Sequence, residues 1–307
     1  MVTALPALPS PGIAWGKRPG TCHDCNTPGR HWRLAQRPCG AILSDMHATS
    51  LPALFLSHGS PMMALEDSPT ARFLDELGNR LPKPRAVVVA SAHFMARSPT
   101  VTSNLAPDTI HDFGGFPQAL YEIQYPAPGA PALARDIATH LVTAGFEADV
   151  DEHTGIDHGT WVPLRRMYPQ ADVPVVALSV NPAQSAAWHY RLGLALAPLR
   201  AQGVLVIGSG GYSHNLRELD WRHANAPAYP WVQAFTDALS QKLLAGDLQG
   251  ALDWEALPEA RRNHPTTEHL YPLYVALGAG GEVARATHLH HAVQMGGMAM
   301  DAYAFDQ

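Results

Sequence analysis

The chain has 307 residues, of which 46% are hydrophobic and 16% charged, as is typical of a globular protein with a sizeable core. Its formal net charge of -6 offers no basic surface for nucleic acid or an anionic membrane. No apolar run approaches the ~20 residues that a membrane span needs. The 17 histidines against three cysteines favour a nitrogen-ligated metal site or acid–base chemistry over a disulfide framework.

Residues 1–49 differ from the rest of the chain. They carry scattered Pro, Gly and Arg without a sustained period, so we expect a disordered extension, with Met46 as an alternative initiator. The segment superficially resembles a zinc site through four residues: Cys22, Cys25, His31 and Cys39. A structural zinc site normally has two regularly spaced ligand pairs, and the second pair is missing here. The segment also lacks the apolar run of a secretion signal.

From residue 50 onward, short apolar runs alternate with stretches of helical periodicity, which predicts a single α/β domain over residues 50–307. Predicted strands cover residues 52–57, 86–90, 173–180 and 204–207, with a closing pair at 284–291 and 298–305. Predicted helices cover residues 70–81, 132–144, 186–202, 231–244 and 267–277. Runs this short and this rich in Val, Ile and Leu indicate buried strands. We therefore expect a central mixed, mostly parallel sheet flanked by helices.

Three of the predicted strands lead into a histidine. His58 follows the first strand directly, His93 comes shortly after the second, and His214 follows the glycine-rich turn after the fourth. In open α/β sheets, ligands bind outside the carboxyl ends of the strands, so these side chains can converge. Three or four imidazoles with an open position suit Zn(II) or Fe(II). The sequence therefore predicts a metal site at the C-terminal ends of the strands.

Further histidines lie in loops of similar character. His158 is followed by glycine, and His111 begins the segment HDFGGFP. His269 lies in the first turn of the last predicted helix, which Thr266 or Thr267 could cap. A histidine that is not a metal ligand could transfer protons near neutral pH. Other histidines are expected to be at least partly exposed: His140, His189, His223, His288, His290 and His291.

Several segments in succession resemble one enzyme family. They are LFLSHGSPMMALEDSP, VVVASAHF, TIHDFGGFPQALYEIQYPAPGAPALA, IDHGTW, MYPQADVPVVALSV, SHNLR and PTTEHLYPLYVALGA. Together they look like the 4,5-DOPA extradiol dioxygenase group of the class III extradiol ring-cleavage dioxygenases, which are relatives of the protocatechuate 4,5-dioxygenase catalytic subunit. The most specific part is HDFGGFP followed by YPAPG. The resemblance runs from Leu51 to the C-terminus, so residues 50–307 are the expected catalytic domain and residues 1–49 have no counterpart.

The resemblance implies that His58, His93 and His269 are metal ligands, with His214 as a fourth ligand or a close neighbour. Relatives differ here, because the protocatechuate enzymes complete a two-histidine set with a carboxylate where DOPA-type members have histidine. The family chemistry implies Fe(II) for activity. Zinc, which has no redox chemistry, is expected as a replacement in the same site.

The implied reaction inserts both atoms of O2 into DOPA or a similar substituted catechol. His158 matches the family's catalytic histidine that lies outside the metal ligands. His158 or His214 would remove a catechol proton, and the same or the other histidine would return one while the ring opens beside the diol. His111 and Phe116 of the HDFGGFP segment are expected at the substrate end of the pocket.

Two other functions stay open at this point. A zinc hydrolase could use the same histidines, with Glu268 as the obvious general base, and a non-catalytic protein could bind a metal or an aromatic ligand there. The expected partners are a small aromatic substrate and O2, without nucleic acid or membrane. We expect a cytoplasmic protein, as a monomer or a homo-oligomer. The sequence leaves the physiological catechol open.

Overall fold

Ten strands and nine α-helices lie within residues 50–307, the part of the chain that the computed structural model describes. The strands are β1 (Ala53–Ser57), β2 (Ala86–Met95), β3 (Thr100–Thr102), β4 (Asp149–Asp151), β5 (Val175–Val180), β6 (Val204–Gly210), β7 (Arg285–His290), β8 (Val293–Gln294), β9 (Met298–Ala299) and β10 (Ala302–Asp306). The helices are α1 (Pro69–Arg80), α2 (Gln118–Tyr121), α3 (Pro131–Thr143), α4 (His158–Met167), α5 (Ala186–Leu196), α6 (Pro230–Leu244), α7 (Leu248–Leu252), α8 (Ala260–Asn263) and α9 (Tyr271–Ala279).

Eight of these strands form one sheet in the order β4-β3-β5-β2-β6-β1-β10-β7, while β8 and β9 pair separately. The four central strands β5, β2, β6 and β1 run parallel to one another. On one side β10 and β7 add antiparallel pairs, and on the other β3 runs antiparallel to β5 and parallel to β4. The predicted single α/β domain with a mixed, mostly parallel sheet is confirmed.

Helices cover both faces of the sheet. Successive strand residues point to opposite faces, so each central strand contributes side chains to the core on both sides. In β2, Val88 belongs to the core that contains α3, α5, α6 and α9, and Val89 belongs to the core that contains α1 and α4. Burial on both faces explains why the central strands read as continuous apolar runs instead of alternating patterns.

Parallel pairing aligns the carboxyl ends of β1, β2 and β6. Ser57 of β1 lies beside Gly210 of β6, and Ser91 of β2 lies beside Ser209 of β6. Side chains at or just beyond these positions therefore meet at one edge of the sheet, which is the edge where open α/β folds bind their ligands.

Several predicted element boundaries were wrong. The strand expected at residues 86–90 continues to Met95, so His93 lies within β2 and not after it. The helix expected at residues 186–202 ends at Leu196 and continues as a 3-10 helix. The short strands β3 and β4 were not predicted, because three residues carry too little periodicity to be recognised.

The last long helix also begins later than predicted. It starts at Tyr271, where a following proline suits the first turn, so His269 lies in the turn before α9. Neither threonine caps this helix. The hydroxyl of Thr266 donates to Glu268, and that of Thr267 donates to a backbone carbonyl elsewhere. His269 is therefore held by its turn and its neighbours, and not by a helix cap.

Helix α4, which begins at His158, was not predicted. The side chain of Asp157 caps it by accepting a hydrogen bond from the backbone N–H of Thr160. Gly159 and Pro163 lower the helical propensity of this segment and obscured its periodicity. The cap fixes the position of His158 at the first residue of a helix.

Residues 1–49, with their cysteines, lie outside the described residues, so the expected extension stays a prediction. Within residues 50–307, no helix combines the length and the apolar character that a membrane span requires.

Arg200 is a buried cation that ties together distant parts of the domain. It is 4% exposed, and its guanidinium donates to the backbone carbonyls of Leu51, Ala279 and Gly280. It also forms an ion pair of 2.7 Å with Asp306, whose side chain is 56% exposed. The carbonyl contacts are buried, whereas the ion pair is partly screened by water.

We expect Arg200→Ala to lower the free energy of unfolding by about 2 to 4 kcal/mol, because it leaves buried carbonyls without donors. Asp306→Ala should cost less than about 1 kcal/mol, since an ion pair with an exposed partner contributes little. Urea denaturation of both variants measures the difference. Equal losses would contradict the role given to the carbonyl contacts.

Candidate metal centre and active site

Three histidine side chains converge at the carboxyl ends of the central strands. His58 directly follows β1, His93 lies near the end of β2, and His269 lies in the turn before α9. Nε2 of His93 lies 3.1 Å from Nε2 of His58 and 3.3 Å from Nε2 of His269. The structure thus brings together three residues that the sequence predicted as metal ligands.

Neighbouring groups set the tautomer of His58. Its Nδ1 lies 3.0 Å from the hydroxyl oxygen of Ser209 in β6. That hydroxyl donates its own proton to the backbone carbonyl of Gly159, so its oxygen accepts a hydrogen bond from Nδ1–H. Nε2 of the neutral ring is then left with a free lone pair, which is the form that binds a metal.

Carboxylates set the other two rings in the same way. Nδ1 of His269 lies 3.1 Å from Oε1 of Glu268, and Nδ1 of His93 lies 3.4 Å from Oδ2 of Asp112. An ionised carboxylate only accepts hydrogen bonds. Nδ1 of His269 therefore carries the proton, and the nearby charge of Asp112 favours the same tautomer in His93, so that Nε2 is free in both rings.

The three rings are neutral and fit a divalent metal ion. Burial, reinforced by the neighbouring histidines, lowers the pKa of His58 and His269 well below the usual value and that of His93 to about 3. Two imidazole nitrogens that are each ~2.1 Å from one ion lie roughly 3.0 to 3.4 Å apart in right-angled to tetrahedral geometry. The observed separations of 3.1 and 3.3 Å match this range.

His214 lies against this group with its ring parallel to that of His269. The two ring centroids are 3.4 Å apart and the planes differ by 7°. Imidazole lone pairs lie in the ring plane, so those of His214 cannot converge with Nε2 of His269 on one point. Burial lowers the pKa of His214 to about 4. This geometry favours a neutral neighbour of the metal over a fourth ligand.

Asp112 joins His158 to the same group. Nδ1 of His158 donates to Oδ1 of Asp112 at 2.9 Å, and the backbone N–H of His158 donates to the same oxygen at 3.0 Å. Burial acts to raise the pKa of Asp112, but the hydrogen bonds and charge of His158 lower it to about 2. Ionised Asp112 therefore orients both His158 and His93.

Sequence reasoning missed Asp112, although it lies in the HDFGGFP segment. The sequence signal that could have identified Asp112 was an acidic residue in a glycine-rich loop. The two partners are 46 residues apart in sequence, and only the folded chain brings Asp112 to the first residue of α4. A ring nitrogen of His158 also lies within 4.8 Å of His58 and His93, which places this histidine beside the metal centre.

The three histidines open into a cleft of about 180 Å³ with mainly apolar walls. Among the described residues that line the cleft, only the histidines can carry a charge. Trp221, 65% exposed, and Leu216, 46% exposed, lie at the mouth. Besides His158 and His214, the walls include aromatic, leucine and methionine side chains: Phe113, Phe116, Leu219, Met295 and Met298.

The structure brings Phe116 to the cleft but not His111, which was expected there with it. Nε2 of His111 lies 3.0 Å from the carbonyl oxygen of Ile123. The ring packs edge-on against Trp161 and Phe113. This hydrogen bond turns His111 away from the cleft, so the residue supports Phe113 from behind instead of contacting a ligand.

Comparison with known proteins gives a consistent result. Residues 52–305 match the family model described as the catalytic LigB subunit of aromatic ring-opening dioxygenase. The chain is 42% identical to the 4,5-DOPA dioxygenase extradiol of Escherichia coli K12, over 83% of this chain and 94% of that protein. It is also 42% identical to the enzyme of the same name from Beta vulgaris, over 82% and 95%.

A solved structure is similar as well. The crystal structure of an uncharacterized protein from Escherichia coli K12 matches with a TM-score of 0.71 and 35% identity, over 83% of this chain and 99% of that one. The sequence resemblance is thereby confirmed, and so is the expectation of an enzyme. The chain belongs to the family of aromatic ring-opening dioxygenases that includes the catalytic LigB subunit, and it is an extradiol dioxygenase.

Proposed function

We propose that this dioxygenase holds Fe(II) through His58, His93 and His269 and opens a catechol ring beside its two hydroxyl groups. The observation that carries the proposal is the set of three neutral Nε2 atoms, separated by 3.1 and 3.3 Å, at the inner end of an apolar cleft. Imidazole accepts both Fe(II) and Zn(II), and zinc has no redox chemistry. Iron, when bound, supplies the electron exchange that lets O2 react with a catechol.

In this proposal His158 removes a proton from a catechol hydroxyl. Its Nδ1 proton is held by Asp112, so Nε2 is the nitrogen that is free to act as a base. The ionised carboxylate then stabilises the protonated ring, as the aspartate of a serine protease does for its histidine. General bases of this kind contribute a factor of roughly 10² to 10⁴ in rate.

His214 is the second proposed acid–base group. It lines the cleft, and burial keeps its ring neutral by lowering the pKa to about 4. The stacked contact with His269 restricts rotation of the ring. A neutral, oriented imidazole can hydrogen-bond the substrate or pass on a proton while the ring opens.

The proposed substrate is DOPA or a similar substituted catechol. Relatives named for DOPA cover most of this chain, and aromatic side chains such as Phe113 and Phe116 suit an aromatic ring. Within the described residues, no lysine or arginine lines the cleft to bind a carboxylate. We therefore infer that charged ring substituents point to the mouth beside Trp221 and Leu216 and stay in water.

The geometry gives no support to a zinc hydrolase, the earlier alternative. Such an enzyme would need a carboxylate to activate water near the metal, and Glu268 was the candidate. Its Oε1 accepts hydrogen bonds from Thr266 and from Nδ1 of His269, and the residue does not line the cleft. Glu268 therefore orients a ligand and is not placed to act on a substrate.

A catechol panel with anaerobically Fe(II)-loaded protein tests the proposed function. On admission of air, we expect DOPA, 3,4-dihydroxyphenylpropionate and 4-methylcatechol to give the absorbance of a semialdehyde product. Their kcat/KM values should agree within about tenfold, because no charged side chain discriminates among them. The zinc-loaded protein should be inactive. A flat trace with every catechol would refute the dioxygenase assignment, and a hundredfold preference for DOPA would refute the inferred substrate orientation.

His158→Ala should keep the metal and lose at least about a hundredfold in kcat, because it removes the base and leaves the three ligands intact. Iron content and product formation are measured on the same sample. His140→Ala, which changes an exposed histidine of α3, is the matched control and should behave as wild type. Loss of iron from His158→Ala would instead identify His158 as a ligand.

Asp112→Asn should lower kcat by roughly 10- to 100-fold, the usual effect of losing a group that orients a catalytic or ligating histidine. In a double-mutant cycle, Asp112→Asn should add little to His158→Ala, because both remove the same function. Additive losses would show that Asp112 acts through His93 and the metal instead.

A further inference from the structure

A second cluster of metal-ligating side chains lies outside the cleft, where β7 approaches the residues between β9 and β10. Nε2 of His288 lies 2.7 Å, and Nδ1 of His291 lies 3.0 Å, from Oδ1 of Asp301. The ligand atoms of all three residues lie within 4.8 Å of one another. Two imidazoles and a carboxylate form a ligand set that suits Zn(II). We propose that His288, His291 and Asp301 bind a second divalent ion, with Zn(II) as the best match.

A β-bulge directs His288 into this cluster. Strand β10 pairs with His288 and with His290, but Leu289 between them has no partner. The extra residue breaks the alternation of side chains, as bulges do where they re-aim a residue. His288 consequently stacks on Tyr303 at 4.5 Å, whereas His290 stacks on Phe73 at 4.6 Å. Regular pairing would have put both histidines on one face.

Asp301 has a carboxylate oxygen that its two histidines leave free and that could bind a cation. The residue is 1% exposed, and its Oδ2 has no hydrogen-bond partner among the described residues. A buried carboxylate oxygen without a partner is unfavourable, and an ion bound by this carboxylate would remove that cost.

The proposed ion site is separate from the metal centre, since none of its three residues lines the cleft. His291 is 57% exposed in its side chain, so water can complete the coordination. The ion would link edge strand β7 to the residue before β10. The backbone carbonyl of Asp301 accepts hydrogen bonds from the N–H and the hydroxyl of Ser57, so the ion would brace the sheet where β1 ends.

Zinc content per chain tests the proposal. Untagged wild-type protein, His291→Ala and His290→Ala are saturated with ZnCl2, freed of excess metal by gel filtration and analysed by mass spectrometry for zinc. We expect His291→Ala to hold one zinc fewer than wild type and His290→Ala to hold the same number as wild type. The cleft histidines and the cysteines of residues 1–49 are unchanged in all three proteins, so their zinc cancels in the comparison.

Zinc should also raise the melting temperature of wild type by about 2 to 4 °C more than that of His291→Ala, because an ion that binds the folded state stabilises it. Equal zinc contents in wild type and His291→Ala overturn the proposal and leave both histidines as hydrogen-bond partners of Asp301. The same loss from His290→Ala overturns it too, since that ring faces Phe73. A difference in zinc content without a difference in melting temperature supports the site and overturns the bracing role.

Discussion

The proposed metal centre depends on keeping three neutral imidazole nitrogens close together in a buried place. Free lone pairs 3.1 and 3.3 Å apart are unfavourable without a cation, because each is removed from water. The fold sustains them by fixing the far side of each ring. Ser209 and Glu268 hydrogen-bond Nδ1 of His58 and His269, and Asp112 lies 3.4 Å from Nδ1 of His93. Ser209 stands in a central strand that cannot shift without breaking the sheet. The free energy of folding thus offsets the free-energy cost of bringing these rings together, before any ion binds.

In the proposed mechanism, Asp112 links metal binding to proton transfer. Its two carboxylate oxygens contact different rings, Oδ1 that of His158 and Oδ2 that of His93. Helix α4 begins at His158 and is capped by Asp157, which fixes the backbone position of His158 relative to Asp112. The proposed ligand His93 and the proposed base His158 are thus held by one carboxylate, which suits a reaction in which proton removal and ring opening take place on the same substrate.

The sequence predicts the parts of this arrangement that depend on strand periodicity. His58 and His93 were found because buried strands lead to them, and the family motif added His269. What the sequence could not show depends on tertiary contacts. The partners of Asp112 come from distant segments, and a single unpaired residue in β7 separates the faces of His288 and His290. His189 was expected at the surface, yet it is buried, because its ring stacks on Tyr271 at 4.3 Å.

The contrast between residues at strand ends and residues in loops also bears on substrate range. In the proposed binding mode, the diol end of the cleft is formed by strand ends and by the three histidine rings that their partners hold in place. The substituent end is set by loop residues such as Phe116, Leu216 and Trp221, of which the last two are largely exposed at the mouth. Loops tolerate substitution far better than sheet edges do. Under this proposal, exchanging residues 216–221 should change which catechol substituents the enzyme accepts and leave the ring-opening chemistry unchanged.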